Sequence, residues 1–285
     1  MDKIEPLIQD LIAAKILVCK DTHITDQITT IKDWLGDCHS FNMYLEDITL
    51  KNRFFYEMAN LDTWEVVKNY PERQIYCKRE PGLDLITVFY KIKLNTNMVY
   101  PFALLSEIQM MKNWVPGVKK SDIFKVNSQF RKAIHVHREM PFPISDRDFN
   151  VCHTSLLVKE RKGVMVMIRS ATEERSKYWG LADVLPPIDP KVVRAEIIKA
   201  FMYVEHIDAK SCWFHGYMNM NPKIQFMPDS FVGYVIKKIV NVMVKKLQRE
   251  QIFEDKAILE RMAERKEYYD IIKSELIKMG AEVPE

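Results

Sequence analysis

The side chains that could do chemistry are few and scattered. His135 and His137 lie two apart in a stretch of strand character, so their imidazoles share one face. With His153 or His215 nearby they could hold a metal or move protons. No Cys, Asp or further His stands at ligand spacing, and polar strand residues bonded to backbone give the same pattern. Arg147 and Asp148 follow the turn Met140-Pro-Phe-Pro-Ile-Ser-Asp146. An adjacent base and acid can serve catalysis, or can simply close a turn by charge pairing. Arg169, Arg194 and Glu196 interrupt otherwise apolar strand segments. A charge there faces either solvent or the polar end of a cavity. The chain has no G-x-S-x-G, H-E-x-x-H, P-loop or G-x-G-x-x-G. Eight glycines are too sparse for a nucleotide-phosphate cradle. Neither a catalytic centre nor a cofactor or metal site is expected.

Composition points away from chemistry and toward apolar contacts. The 285 residues include sixteen methionines, flexible side chains suited to irregular cores and varied apolar ligands. The five cysteines are dispersed and contain no CxxC, which fits a reducing compartment. Charge is uneven: residues 1–60 carry a net −4, residues 248–285 a net −3 and residues 61–247 a net +10. A basic body between acidic ends is drawn to anionic surfaces, membrane or nucleic acid, unless the ends fold back on it. Acidic residues at positions 2, 5 and 10 oppose a signal peptide, and no run approaches the ~20 apolar residues of a membrane span. No lipidation motif is present. A cytoplasmic protein without an anchor of its own is expected.

The elements that must position these residues follow from periodicity. Ile4, Leu7, Ile8, Leu11 and Ile12 mark one helix, a second is capped near Thr25 and runs to Trp34, and a third spans 41–61. Strand character begins at Trp64, with strands over 72–78 and 83–94 around a Pro81-Gly82 turn. A helix from Asn97 to Trp114 presents Phe102, Leu105, Ile108 and Met111 on one face. Strands are predicted at 121–127, 130–139, 148–159, 163–172, 192–205 and 211–220, which argues for one curved antiparallel sheet. From Pro228 a long helix carries Phe231, Val235, Ile239, Val240 and Met243 on one side and Lys237, Lys238, Lys245 and Lys246 largely opposite. Helical character continues to 279, with Ile258, Met262, Tyr269, Ile272, Leu276 and Met279 as a stripe for intramolecular packing or a helical partner.

Several of these segments together resemble the START (steroidogenic-acute-regulatory-related lipid transfer) domain. Pro141-Phe-Pro-Ile-Ser-Asp-Arg-Asp-Phe149 is close to the family's P-x-P-x-S-x-R-D-[FY] signature. Trp64-Glu-Val-Val, Asn113-Trp-Val-Pro, Ile168-Arg-Ser and Val193-Arg-Ala-Glu also fit, though Val115 replaces the usual Asp and residues 221–229 lack the expected Gly. The link 176–191 is longer than usual, and His153 stands where the family often has an Arg.

The resemblance implies an α+β helix-grip (START/Bet v 1-like) fold, a curved antiparallel sheet around a long C-terminal helix. It divides the chain into a helical extension at 1–60, a lipid-binding domain at 61–247 and a second helical extension at 248–285. It implies one phospholipid or sterol held in a hydrophobic cavity, transient contact with anionic membrane, no nucleic acid and no enzymatic step. The polar groups expected to select the lipid are Arg138, His153, Arg169 and Arg194. The apolar lining expected is Val136, Phe149, Val151, Met167, Phe231, Val235, Ile239 and Met243, with 140–147 and 176–191 as gates. Two alternatives stand beside this: a helix-grip enzyme using His135, His137 or His153, and an interaction scaffold whose cavity is vestigial.

Overall fold

A computed structural model describes residues 39–79, 85–142, 144–221, 223, 229–249, 252–253 and 255–283. The two helices expected before Trp34, the turn at Pro81-Gly82, and the side chains of Phe231 and Val235 lie outside the described part. Helix α1 (His39–Ala59) precedes the strands β1 (Glu65–Tyr70), β2 (Arg73–Arg79) and β3 (Ile86–Leu94). The stretch from β4 (Val118–Ser128) continues through β5 (Arg131–Arg138), β6 (Arg147–Val158) and β7 (Gly163–Ser170). Then come α4 (Glu173–Trp179), the short β8 (Val193–Arg194), β9 (Glu196–Asp208) and β10 (Ser211–Asn221). All ten strands form one curved sheet in the order β1-β2-β3-β10-β9-β7-β6-β5-β4, antiparallel except where β8 runs beside β6.

Alternation sorts the side chains onto two faces. The inner face carries Ile134, Val136, Phe149, Val151, Val164, Val166 and Ile168. The outer face carries Phe89, Met165, Met167, Phe201, Tyr203 and Tyr217, all packed around Phe54 of α1. Phe54 is fully buried, with its ring centroid 5.4 Å from Phe201 and 6.1 Å from Tyr203. Both sides of the central strands are therefore dry. That explains why β7 has no exposed residue at any of its eight positions.

The helix expected from Asn97 to Trp114 is instead two pieces, α2 (Val99–Ser106) and α3 (Met111–Trp114), joined by a 3-10 turn over Ile108–Met110. Seven of the eight α2 residues are buried, so it is apolar all round rather than one-faced. At Glu107 the backbone leaves the helical region (ψ 78°), and the carboxylate turns toward the C-terminal helices. After α5 (Asp229–Leu247) the chain likewise breaks instead of continuing. Asp255 caps α6 (Lys256–Glu264) through the Ala257 amide, and α7 (Lys266–Lys278) follows. The stripe Ile258, Tyr269, Ile272 and Leu276 is buried against the body of the protein. Tyr268 stacks on Phe102 of α2 at 6.3 Å and touches Phe130 at 5.5 Å. Arg265, Arg261 and Tyr269 all reach Glu107, and Asn97 donates to the Glu282 carbonyl at 2.9 Å.

Candidate functional site

Between the inner face and α5 lies an apolar cavity of about 840 Å³, counting its open mouth. Its walls come from β5 (Ile134, Val136, Arg138), β6 (Phe149, Val151), β7 (Ile168), β9 and β10, closed by α3 and by Met243 of α5. Five methionines, at 111, 202, 218, 220 and 243, contribute to the wall. They sit on four different elements, so they can fit themselves around an apolar guest of irregular shape.

Arg138 is the one charged residue among the described lining residues. It is only 9% exposed, and its Nε has no hydrogen-bond partner. Burial pulls its pKa down to about 10, because a desolvated guanidinium disfavours its charge. Gly117 lies beside it, with a φ of +78° that favours glycine, and its carbonyl accepts from the Glu139 amide at 2.7 Å. A Cβ at position 117 would stand 2.7 Å from the Glu139 carbonyl oxygen and 3.6 Å from Arg138 Cγ. Directly across the strands stands Arg147, register partner of Arg138 and on the same face. Arg147 donates to the carbonyls of Ser145 (2.5 Å) and Lys223 (3.1 Å).

The other expected polar groups are elsewhere. His153 is on the inner face but deep beneath α2, beside Lys132, and does not line the cavity. Burial first, then the Lys132 charge, lowers its pKa to about 4. Lys132 is lowered to about 8, chiefly by burial and then by Arg265. Arg169 points to the outer face, where it pairs with Glu46 at 2.6 Å and Asp47 at 2.9 Å of α1. Arg194 forms a two-pronged contact with Asp148 at 2.7 and 2.8 Å and donates to the Pro187 carbonyl at 3.1 Å. It therefore braces the link 176–191 and does not reach into the cavity. In that link Trp179 and Leu181 pack on Ala133 and Cys152 at the outer face.

Of the expected apolar lining, Val136, Phe149, Val151 and Met243 do face the cavity. Met167 lies on the outer face under α1, and Ile239 is half-buried outside the wall. Residues missed from sequence include Tyr90, Met111, Trp114, Met202, Met218 and Met220. For Met202, Met218 and Met220 the high methionine count was the signal.

The histidines do not converge on a common point. His135 Nδ1 is 2.7 Å from Asn150 Oδ1 and His137 Nε2 is 2.9 Å from Asp146 Oδ2. By strand alternation both lie on the face opposite His153. No group of three metal-ligating side chains occurs among the described residues. Lys237, one of the lysines opposite the apolar side of α5, is held by Glu65 at 2.7 Å. Among the described residues no helix is long and apolar enough to cross a membrane.

A curved antiparallel sheet wrapped around a long helix is a START-like, helix-grip fold. No protein-family model matches the chain. No curated protein matches it either. Solved structures do. Human StAR-related lipid transfer protein 5 superposes with a TM-score of 0.61 at 9% identity, over 76% of this chain and 96% of that one. A STAR-related lipid transfer protein from Xanthomonas axonopodis gives 0.53 at 16% identity, over 66% and 97%. Human STARD10 gives 0.53 at 16% identity, over 65% and 72%. At such identities the likeness is one of fold.

Proposed function

We propose that this protein binds a single lipid in the cavity between sheet and α5 and carries it between membranes as a cytoplasmic, membrane-peripheral carrier. The observation that carries the reading is the pocket itself: a hollow between sheet and α5 whose described walls are apolar but for Arg138. An unfilled apolar hollow costs stability, and a lipid tail offsets the cost at roughly 25 cal/mol per Å² buried. Two of the matching structures bear the name lipid transfer protein, which supports the same reading. No covalent step is invoked. The fan of methionines suits tails of varied shape, and Arg138, with the lipid-facing Val136, Phe149, Val151 and Met243, is the group placed to choose a head.

The test is native mass spectrometry of the full chain purified from cells, followed by extraction from mixed liposomes after delipidation. A one-to-one adduct that is lost on delipidation and regained from vesicles is expected. A chain that neither retains nor extracts lipid would end the proposal.

A further inference from the structure

Arg138 presents a problem that an apolar ligand does not solve. A buried cation must be paired, because desolvating it costs several kcal/mol. Yet no described carboxylate pairs with Arg138, and no described residue of the cavity wall is Asp or Glu. The residue directly opposite on the neighbouring strand is a second arginine, Arg147, also buried. Like charges facing each other across two strands are destabilising on their own. The Arg138 guanidinium at the wall of an apolar pocket is suited to receive an oxyanion, since its planar fork matches carboxylate or phosphate, and Arg147 on the same face of the next strand adds positive charge behind it.

We infer that the ligand of this cavity is an acidic amphiphile, an apolar tail ending in a carboxylate or phosphate that Arg138 receives, with Arg147 supporting the charge from across the strands. This rests on the carrier reading above and names the class of lipid carried. A sterol or a neutral glyceride leaves Arg138 unanswered. An anionic head supplies the missing partner, while the tail fills the methionine-lined remainder.

The experiment measures binding of four probes to the delipidated full chain: oleate, dioleoyl phosphatidic acid, oleyl alcohol and cholesterol. At least one acid should bind about 10- to 100-fold tighter than oleyl alcohol, the worth of one charge-assisted contact. Which acid wins tells a fatty-acid head from a phosphate head. Arg138→Met should erase that preference and leave oleyl alcohol unchanged. The delipidated Arg138→Met chain should melt no lower than wild type, since an unpaired buried charge has been removed; a purely structural arginine would lower it. Equal binding of acids and alcohol by wild type overturns the inference and leaves the carrier reading intact. A preference that survives in Arg138→Met removes Arg138 from the role. If Arg138→Met does not fold, the wild-type ratio and Arg138→Lys, which should keep part of the preference, decide the matter. Binding of none of the four overturns both readings together.

Discussion

Arg169 on β7 and Asp47 on α1 meet at 2.9 Å across the outer face of the sheet, each side chain no more than 3% exposed. Burial raises the Asp47 pKa, and the charges of Arg169 and Arg131 only partly offset it. Arg131 reaches the other Asp47 oxygen at 2.8 Å, and Arg175 shares Glu46 with Arg169. This cluster fastens α1 to the sheet beside the aromatic patch around Phe54.

Removing one member should therefore be costly. Asp47→Asn leaves Arg169 with Glu46 alone, and we expect a loss of about 3 kcal/mol in urea denaturation. The double change Asp47→Leu with Arg169→Met should recover much of that. An Asp47→Asn chain as stable as wild type would mean that α1 is held by its aromatic contacts alone.

Glu107 should govern the C-terminal helices in the same way. Its carboxylate accepts from Tyr269 Oη at 2.6 Å and also meets Arg261 and Arg265. Glu107→Gln removes the charge but keeps the shape, at an expected cost of about 2 kcal/mol. Hydrogen exchange should accelerate first in α6 and α7. Unchanged protection over 256–278 would contradict this.

His153 makes stability fall on the acid side. Its folded pKa lies near 4 against an ordinary 6.5, so the folded state keeps it neutral while the unfolded chain takes up a proton. Its contribution is complete above pH 6.5 and is lost as the pH falls toward 4, by roughly 3 kcal/mol in all. His153→Leu should flatten the stability profile by nearly one proton in that window. Parallel profiles for the two chains would show that the imidazole titrates normally.

Gly216 sets the width of the cavity. It faces Tyr90 across β10 and β3, and a Cβ there would lie 1.9 Å from the Tyr90 ring. The ring stacks on Phe214 and lines the cavity, so Gly216→Ala must displace it. We expect a lower melting temperature and weaker lipid extraction than wild type, while Gly180→Ala, with open space at its Cβ but a φ of +64°, loses stability alone. Full lipid uptake by Gly216→Ala would place the ligand away from Tyr90.

Much of the architecture was legible in the residues. The strands between 121 and 220 and the helix opening at Pro228 follow from β-branched runs, turn residues and the 3.6-residue spacing of apolar side chains, and 141–149 carries the resemblance to the START signature. The alternation of Ile134, Val136 and Arg138 also placed Arg138 with its apolar neighbours. What the sequence could not state is which parity of β7 faces inward. β7 is buried on both sides, so it shows no polar alternation, and a one-residue change of register exchanges its faces. The pairing of Val151 with Ser170 turns Ile168 toward the cavity and sends Met167 and Arg169 outward to α1. The positions of His153 under α2 and Arg194 on Asp148 were decided in the same way, by neighbours distant in the chain. Periodicity is a local property, but the choice of face depends on what covers each side, and only the folded chain supplies that.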